Sequence, residues 1–558
     1  MRRAIAVIAD ALALVLAAAV VFIIVTGGGV FFVRGQRVSA TGVDNPLLAL
    51  TVIAAIRYAA LRLQPLFGVR RWPLIAVEMR ARTAIARLHS LAGTIPPRAA
   101  VLSIAATVAI ATLIKVVLAW AHPGFFSGDD VEVHEMSVGL LWNAAWPIWD
   151  LRNASFPLGV IYPMQKLFAV AGASDPAALV FAGRLAVASV SSLTIVLVWR
   201  AGLRLWPSAR RWAVVAALFF AATQLHVAFG SSELPRPVAT VLVVAAFVLL
   251  LKPVGRRVVA AAVLLGIAAA LRFSEGMFLA PALAMLLWEK RWAAAVVLAA
   301  ITVSSALSVV AATDAWYWGE PLHSLKAAVD YTLVHRLSSR GYQHPFWYVL
   351  NVFAWLNPAI VVLAAIGLTA ARRASDVWFW SPVLLLSLLP HKEARYMIPV
   401  VPFACLAAAR GLQIAAARIA ADGRTDRRIW QPVALLGIIA VGFAHDAGHW
   451  RLPRSNADVA FARQLDAALP YGQRVVLEQA WRAGGRLYLH PRDVVDLDPD
   501  RLGDLQYVWQ TIPPEAPIVL DSRSTSRHGL EAALHARGYQ RHALAVTGSR
   551  YELWTTRR

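Results

Sequence analysis

From Val101 to Ala121 the chain crosses a full membrane thickness of residues with one ionisable side chain, Lys115, and comparable apolar runs recur as far as residue 446. A bilayer core of about 30 Å is spanned by roughly 20 apolar residues in a helix, and helices satisfy their own backbone polar groups there. The pattern predicts about thirteen spans, near 4–26, 46–60, 101–121, 179–199, 213–229, 237–252, 257–271, 277–288, 293–312, 349–370, 377–389, 397–410 and 431–446. Of the 558 residues, 59% are hydrophobic and only 15% charged, which excludes an ordinary water-soluble enzyme. The formal charge of +22 is spread as short arginine clusters between apolar runs, which points to membrane loops and not to a nucleic-acid surface. A single cysteine, Cys405, leaves no disulfide framework and no thiolate metal site.

The clusters set an orientation. Arg2 and Arg3, the stretch from Arg57 to Arg98, Arg200–Arg211, Lys252–Arg257, Glu289–Arg291, Arg372 with Arg373, and Arg418–Arg428 alternate with less basic loops and are assigned to the cytoplasm. The first apolar run is long for a signal peptide and has no clear A-x-A site, so it is read as an uncleaved span. The loops at 121–175, 230–237, 271–276, 313–348 and 391–396 then share the opposite face. Beyond Trp450 the long apolar runs stop, and short strand-like stretches (474–477, 517–520, 551–555) alternate with helical ones (457–469, 530–537). Three units are expected: an N-terminal membrane extension (1–100) with about two spans and a basic cytoplasmic segment, a membrane core (101–450), and a small α/β domain (451–558) on the outer face.

Ionisable residues in the outer loops are the candidates for chemistry. The first loop carries His122 and then Asp129, Asp130, Glu132 and Glu135, in a chain otherwise poor in acid. A carboxylate there can take the proton of an attacking hydroxyl; a divalent cation is the weaker alternative, because no HExxH or comparable spacing is present. Asp150 and Arg152 follow in a second polar stretch. The loop at 313–348 sets Asp314, Tyr342, His344 and Trp347 among aromatic residues, which suits either an interfacial belt or a surface that stacks on sugar rings. The densest cluster is His391-Lys392-Glu393-Ala394-Arg395-Tyr396, pressed between two apolar runs. Charged groups are costly there and are kept for a function. His391, Lys392 and Arg395 suit a phosphate, with Glu393 holding one of them, and Arg272 and Arg236 lie on the same face.

His391-Lys392-Glu393-x-Arg395-Tyr396 resembles the HKExRF signature of the lipid-phosphate-dependent mannosyltransferases of GPI-anchor and N-glycan assembly, glycosyltransferase family 22, with Tyr in place of Phe. His122-Pro123 followed by acids resembles that family's HPDE loop, and Trp149-Asp150-x-Arg152-Asn153 its W-E-x-R-S segment. Arg272-Phe273-Ser274 resembles its R-x-T turn, and 314–319 with 341–348 its D-S-x-x-Y-G and Y-G-x-H-P-x-x-W-Y stretches. The resemblance covers about residues 101–410. It implies an all-α polytopic membrane protein of the GT-C type with its active site on the periplasmic side; the small C-terminal soluble α/β domain is an addition to the family pattern, and the Arg- and Ala-rich composition points to a bacterial inner membrane. Such an enzyme transfers a sugar, usually mannose, with inversion from a polyprenyl-phosphate donor to a lipid-linked or glycan acceptor, and requires no cofactor. Asp129 or Asp130 would be the base; His391, Lys392, Arg395 and Arg272 would hold the donor phosphate. Glu393, His122, Asp150, Arg152, Asp314, Tyr342, His344 and Trp347 would support them or contact sugar. A transporter of lipid-linked sugars or a non-catalytic assembly protein are the alternatives; the first should show internal repeats, which the sequence lacks.

Overall fold

The computed structural model describes residues 96–556, apart from 208, 335–342, 371–372, 422–430, 480–483, 543, 545 and 547, together with two strands and a few helical positions before residue 96. Those strands, β1 (Gly29–Val33) and β2 (Gln36–Ala40), pair antiparallel. Most of the two N-terminal spans, most of the first basic stretch and Tyr342 lie outside the described residues.

The membrane core is helical. In chain order it comprises α1 (Pro97–Ala121), α2 (Gly128–Trp142), α3 (Tyr162–Val170), α4 (Pro176–Leu205), α5 (Arg210–Ala222), α6 (Gln224–Gly230), α7 (Pro235–Leu250) and α8 (Gly255–Leu271). These are followed by α9 (Leu279–Trp288), α10 (Trp292–Trp318), α11 (His323–Val329), α12 (Pro358–Ala370), α13 (Ala374–Ser387), α14 (Val401–Ala421) and α15 (Gln431–Gly448). Local chemistry sets the boundaries. Pro176 opens α4, where a missing N–H costs nothing, and the Asp175 side chain accepts from Ala177 N–H at 3.2 Å. Helix α1 stops at His122, because the following Pro123 disfavours helical geometry in the residue before it.

Among the described residues three helices, α1, α4 and α10, are each long and apolar enough to cross a membrane. The α5–α6 pair, bent by 53°, makes a fourth if counted as one span, and several other apolar helices are shorter. The expected span at 349–370 is interrupted: short turns occupy Trp347–Leu350 and Val352–Ala354, and helix resumes only at Pro358. Asn357 explains the break, since its side chain accepts from Ile360 N–H at 2.9 Å and donates to Asp446 of α15. Asp446 also accepts from Gln224 N–H at 3.1 Å and so caps α6.

The core centres on Phe247, Phe278, Trp378 and Phe403, whose ring centroids lie 5.1–6.5 Å apart. Helices α12 and α14 touch backbone to backbone. A Cβ on Gly411 would sit 1.8 Å from the Leu363 carbonyl oxygen, so glycine is required at this crossing. Lys115, fully buried on α1, donates to the hydroxyls of Ser191 and Ser192, each at 3.0 Å.

After α16 (Asn456–Ala468) come β3 (Val475–Glu478), β4 (Val494–Leu497), β5 (Ile518–Asp521), β6 (Tyr539–His542) and β7 (Tyr551–Thr556), in sheet order β4-β3-β5-β7-β6. Strands β4, β3 and β5 are parallel, and β7 runs antiparallel to both β5 and β6. Val475, Leu477 and Val519 pack on the side that meets Phe125, Val131 and Val138 at α2, so the sheet rests on the acidic segment.

Candidate active site

The acidic stretch is a helix, not a loop. Ser127 stands at the N-cap of α2 in extended geometry, and Asp129 and Asp130 fill the first turn, where the helix dipole favours negative charge. Adjacent residues on a helix project about 100° apart, so the two carboxylates meet different surroundings. Asp130 is wholly buried and is turned back on the chain, accepting from Phe126 N–H at 3.2 Å and from the Ser127 hydroxyl at 3.0 Å. Burial, reinforced by the neighbouring Glu233 carboxylate, pushes it up to about 7. Asp129 is 28% exposed and accepts from Arg152 at 2.7 Å and from Arg395 at 3.4 Å. Burial works against its charge, but Arg152, Arg395 and Arg272 together hold it well below the usual carboxylate range.

Around this carboxylate the separated segments converge. Arg152 also pairs with Glu132, one turn along α2, lies 5.4 Å above the Trp149 ring, and has its carbonyl oxygen bonded by the Trp318 indole at 3.3 Å. The neighbouring Asn153 donates to the carbonyl of Ala270 at 2.5 Å, which joins this stretch to the turn bearing Arg272. The Ser155 hydroxyl meets that of Thr313 on α10 at 2.8 Å. Arg395 pairs with Glu393, and Glu393 contacts His391 at 3.1 Å. Arg236 lies 4.1 Å above the Tyr396 ring and 3.3 Å from Glu275.

Two cationic side chains in this group have donors that no described residue takes. The Arg395 Nη1 is buried without a hydrogen-bond partner, and among the described residues the Arg272 guanidinium makes no hydrogen bond or ion pair. Unsatisfied donors on a buried arginine are costly unless a ligand takes them.

Other candidates lie elsewhere. Lys392 is buried, with its backbone N–H on the Gln343 side chain at 2.9 Å and its ammonium on the carbonyls of Gln343 and Leu389, so it pins two turns together. His122 sits in a joint: its carbonyl accepts from Arg184 at 2.8 Å and Arg454 at 3.0 Å, and its ring faces Asn456 at 3.3 Å. Asp150 is 71% exposed and pairs outward with His323 at 3.7 Å. Asp314, buried, accepts from the Ser324 N–H and hydroxyl at 2.9 and 2.7 Å and thereby caps α11. His344 is exposed and accepts from Phe346 N–H at 3.2 Å, and Trp347 packs edge-on against Tyr348. Glu132 and Arg236, both named from the sequence, fall in the site, and Glu275 and Trp149 join it without having been singled out as its members. The signal for Glu132 is its i+3 spacing from Asp129, legible once 128–142 is read as helix.

One consequence concerns Asp130. A carboxyl raised in the folded state binds protons that the unfolded chain has already lost, so stability falls as pH rises from about 4 to about 7. Asp130→Asn, which mimics the protonated group, is expected to flatten that fall and to leave the apparent Tm at pH 8 equal to or above wild type. Thermal unfolding of the detergent-purified proteins across pH 5 to 8 measures this, and a variant less stable than wild type at pH 8 would contradict the assignment.

The architecture has counterparts among solved structures. It aligns with ArnT from Cupriavidus metallidurans bound to undecaprenyl phosphate at a TM-score of 0.55 and 17% identity, over 81% of this chain and 97% of that one. It aligns with the Archaeoglobus fulgidus oligosaccharyltransferase tethered with an acceptor peptide at a TM-score of 0.52 and 12% identity, over 82% and 74%. Both are GT-C glycosyltransferases, and the likeness is one of fold. No curated protein sequence matches the chain. The sequence model of the Alg9-like mannosyltransferases matches residues 146–448, a stretch that holds Arg152, Arg236, Arg272 and the whole 391–396 cluster. This chain therefore belongs to the Alg9-like mannosyltransferase family and is a GT-C membrane glycosyltransferase.

Proposed function

We propose that the protein transfers mannose from a polyprenyl-phosphate donor to a lipid-linked or glycan acceptor, with inversion, on the outer face of a bacterial inner membrane. The observation that carries this reading is the Asp129 carboxylate shared between Arg152 and Arg395, with the charge of Arg272 acting on it. The lipid phosphate bound to the ArnT structure and the family match support a donor of this class.

An entering phosphodiester takes Arg395 and Arg272. Because the Arg395–Asp129 contact, at 3.4 Å, is the longer of the two at this carboxylate, it is the one given up. Asp129 keeps Arg152, loses part of its positive surroundings and gains proton affinity at the moment an acceptor hydroxyl arrives. The hydroxyl oxygen attacks the anomeric carbon as its proton passes to Asp129. The bond from that carbon to the phosphate oxygen breaks, and its electron pair stays on the lipid phosphate. Charge on the phosphate grows from about −1 to about −2, so arginines already in place stabilise the transition state more than the ground state. His391, through Glu393, holds the orientation of Arg395. Trp149, half exposed and stacked against Arg152, offers an aromatic face to an acceptor sugar. Among the described residues no group of three or more His, Cys, Asp or Glu is arranged to hold a metal ion.

The arginine-rich loops, read from the sequence as cytoplasmic, support a site and a C-terminal domain on the outer face. An alkaline phosphatase fused after residue 558 is expected to be active and a fluorescent protein there dark; the opposite pair of results would invert the topology. The donor class is tested with detergent-purified protein offered radiolabelled polyprenyl-phosphate mannose or GDP-mannose over a lipid and glycan extract. Label should move from the lipid donor alone, and transfer from GDP-mannose alone would overturn the reading.

A further inference from the structure

The segment entering α2 has an unusual set of backbone partners. Arg454, Ser455 and Asn456, three consecutive residues between α15 and the C-terminal sheet, take up most of the free polar groups of residues 122–125. Arg454 donates to the His122 carbonyl at 3.0 Å and to Ser231 at 2.8 Å. Ser455 N–H donates to the Phe125 carbonyl at 2.9 Å, and its hydroxyl accepts from Phe125 N–H at 3.2 Å. The Asn456 side-chain oxygen accepts from Gly124 N–H at 2.8 Å. The approach is so close that a Cβ on Gly124 would lie 2.3 Å from the Asn456 backbone nitrogen.

The same region holds the far side of α2. Arg486 reaches Glu135 at 3.3 Å and the Pro147 carbonyl at 2.8 Å. Phe125 is buried in one cluster with Val131, Phe461, Leu487 and Tyr488. Asp129 lies between these two attachments, on a helix whose entry and rear are both fixed by residues more than 300 positions away in the chain. An outer loop could satisfy its backbone with water. Here it is bonded to protein at consecutive positions, and rigid backing of this kind holds a reacting group to a small fraction of an ångström.

We infer that Ser455 and Asn456 are positioning residues for transfer, and that the C-terminal region sets the place of Asp129 relative to the donor phosphate without touching the donor. The inference rests on the reading of Asp129 as the base. A misplacement of about 1 Å costs on the order of 100-fold in rate, and it falls on the reaction step, since the phosphate is held by Arg395 and Arg272 on other segments.

The test uses the full chain carrying Ser455→Ala with Asn456→Ala, and separately Asn456→Asp, which keeps the oxygen that accepts from Gly124. The double variant is expected to transfer label from polyprenyl-phosphate mannose about 10- to 100-fold more slowly, with unchanged KM for that donor and unchanged competition by undecaprenyl phosphate. Amide exchange at Gly124 and Phe125 should be faster, and Asn456→Asp should recover most of the rate. A wild-type rate in the double variant, or a matching loss of donor affinity, overturns the positioning role. Asp129→Asn is run beside them: a full rate there overturns the base reading on which the inference rests, whereas an inactive Asp129→Asn with a fully active double variant overturns the clasp alone.

Discussion

Asp129→Asn is expected to lower the transfer rate by about 1,000-fold or more, while Asp130→Asn stays within a few-fold of wild type. A positioned general base is worth roughly 100- to 10,000-fold, and an amide in its place cannot accept the hydroxyl proton. The amide oxygen introduced by Asp129→Asn can still accept from Arg152, so the arginine group stays put and donor binding survives. The variant therefore separates loss of proton transfer from loss of structure. Asp130 sits one residue on, but its oxygens are already used by Phe126 and Ser127 inside the protein. Initial rates with saturating donor check the pair. Equal rates for wild type and Asp129→Asn would remove this carboxylate from the chemistry, and an inactive, well-folded Asp130→Asn would shift the role to its neighbour.

Arg395→Ala is expected to cost about 2–4 kcal/mol in transition-state stabilisation, roughly 30- to 900-fold in kcat/KM. It should also weaken competition by undecaprenyl phosphate. The side chain contributes twice: Nη1 is a buried donor without a hydrogen-bond partner, and Nη2 pairs with Asp129. Arg395→Lys should recover little, because one ammonium cannot bond Glu393 and a phosphate through a planar fork. Competition curves and rates across donor concentrations read both effects. Unchanged affinity for the lipid phosphate in Arg395→Ala would place the phosphate elsewhere.

What was legible in the sequence followed from cost. An apolar run has to be buried or set in lipid, so the helices of the core stood out, and ionisable residues between such runs, as at 391–396, stood out against them. The strands at 475–478, 518–521 and 551–556 were marked by β-branched and aromatic residues, whereas β6 is polar and β4, although it begins Val-Val, lies in an acidic, proline-containing stretch (493–500) that reads as loop. Side-chain direction was not legible. Lys392 and Arg395 are equivalent as charges, yet Lys392 is spent on backbone carbonyls that a short turn leaves open, and only Arg395 reaches Asp129. Asp129 and Asp130 are likewise alike in composition and are separated by one step of helical rotation. His122 stood beside a motif-like proline, but it serves the joint with Arg454 and Asn456, which no local pattern could reveal.

The central claim is that a lipid phosphate docks on Arg395 and Arg272 and draws Arg395 away from Asp129. A cryo-electron microscopy map of the full chain with undecaprenyl phosphate measures it most directly. The account predicts phosphate density within hydrogen-bonding distance of Arg395 Nη1 and the Arg272 guanidinium, with the Asp129–Arg395 contact opened and Asp129–Arg152 intact. Phosphate bound away from these arginines, with the Asp129–Arg395 contact unchanged, would contradict it.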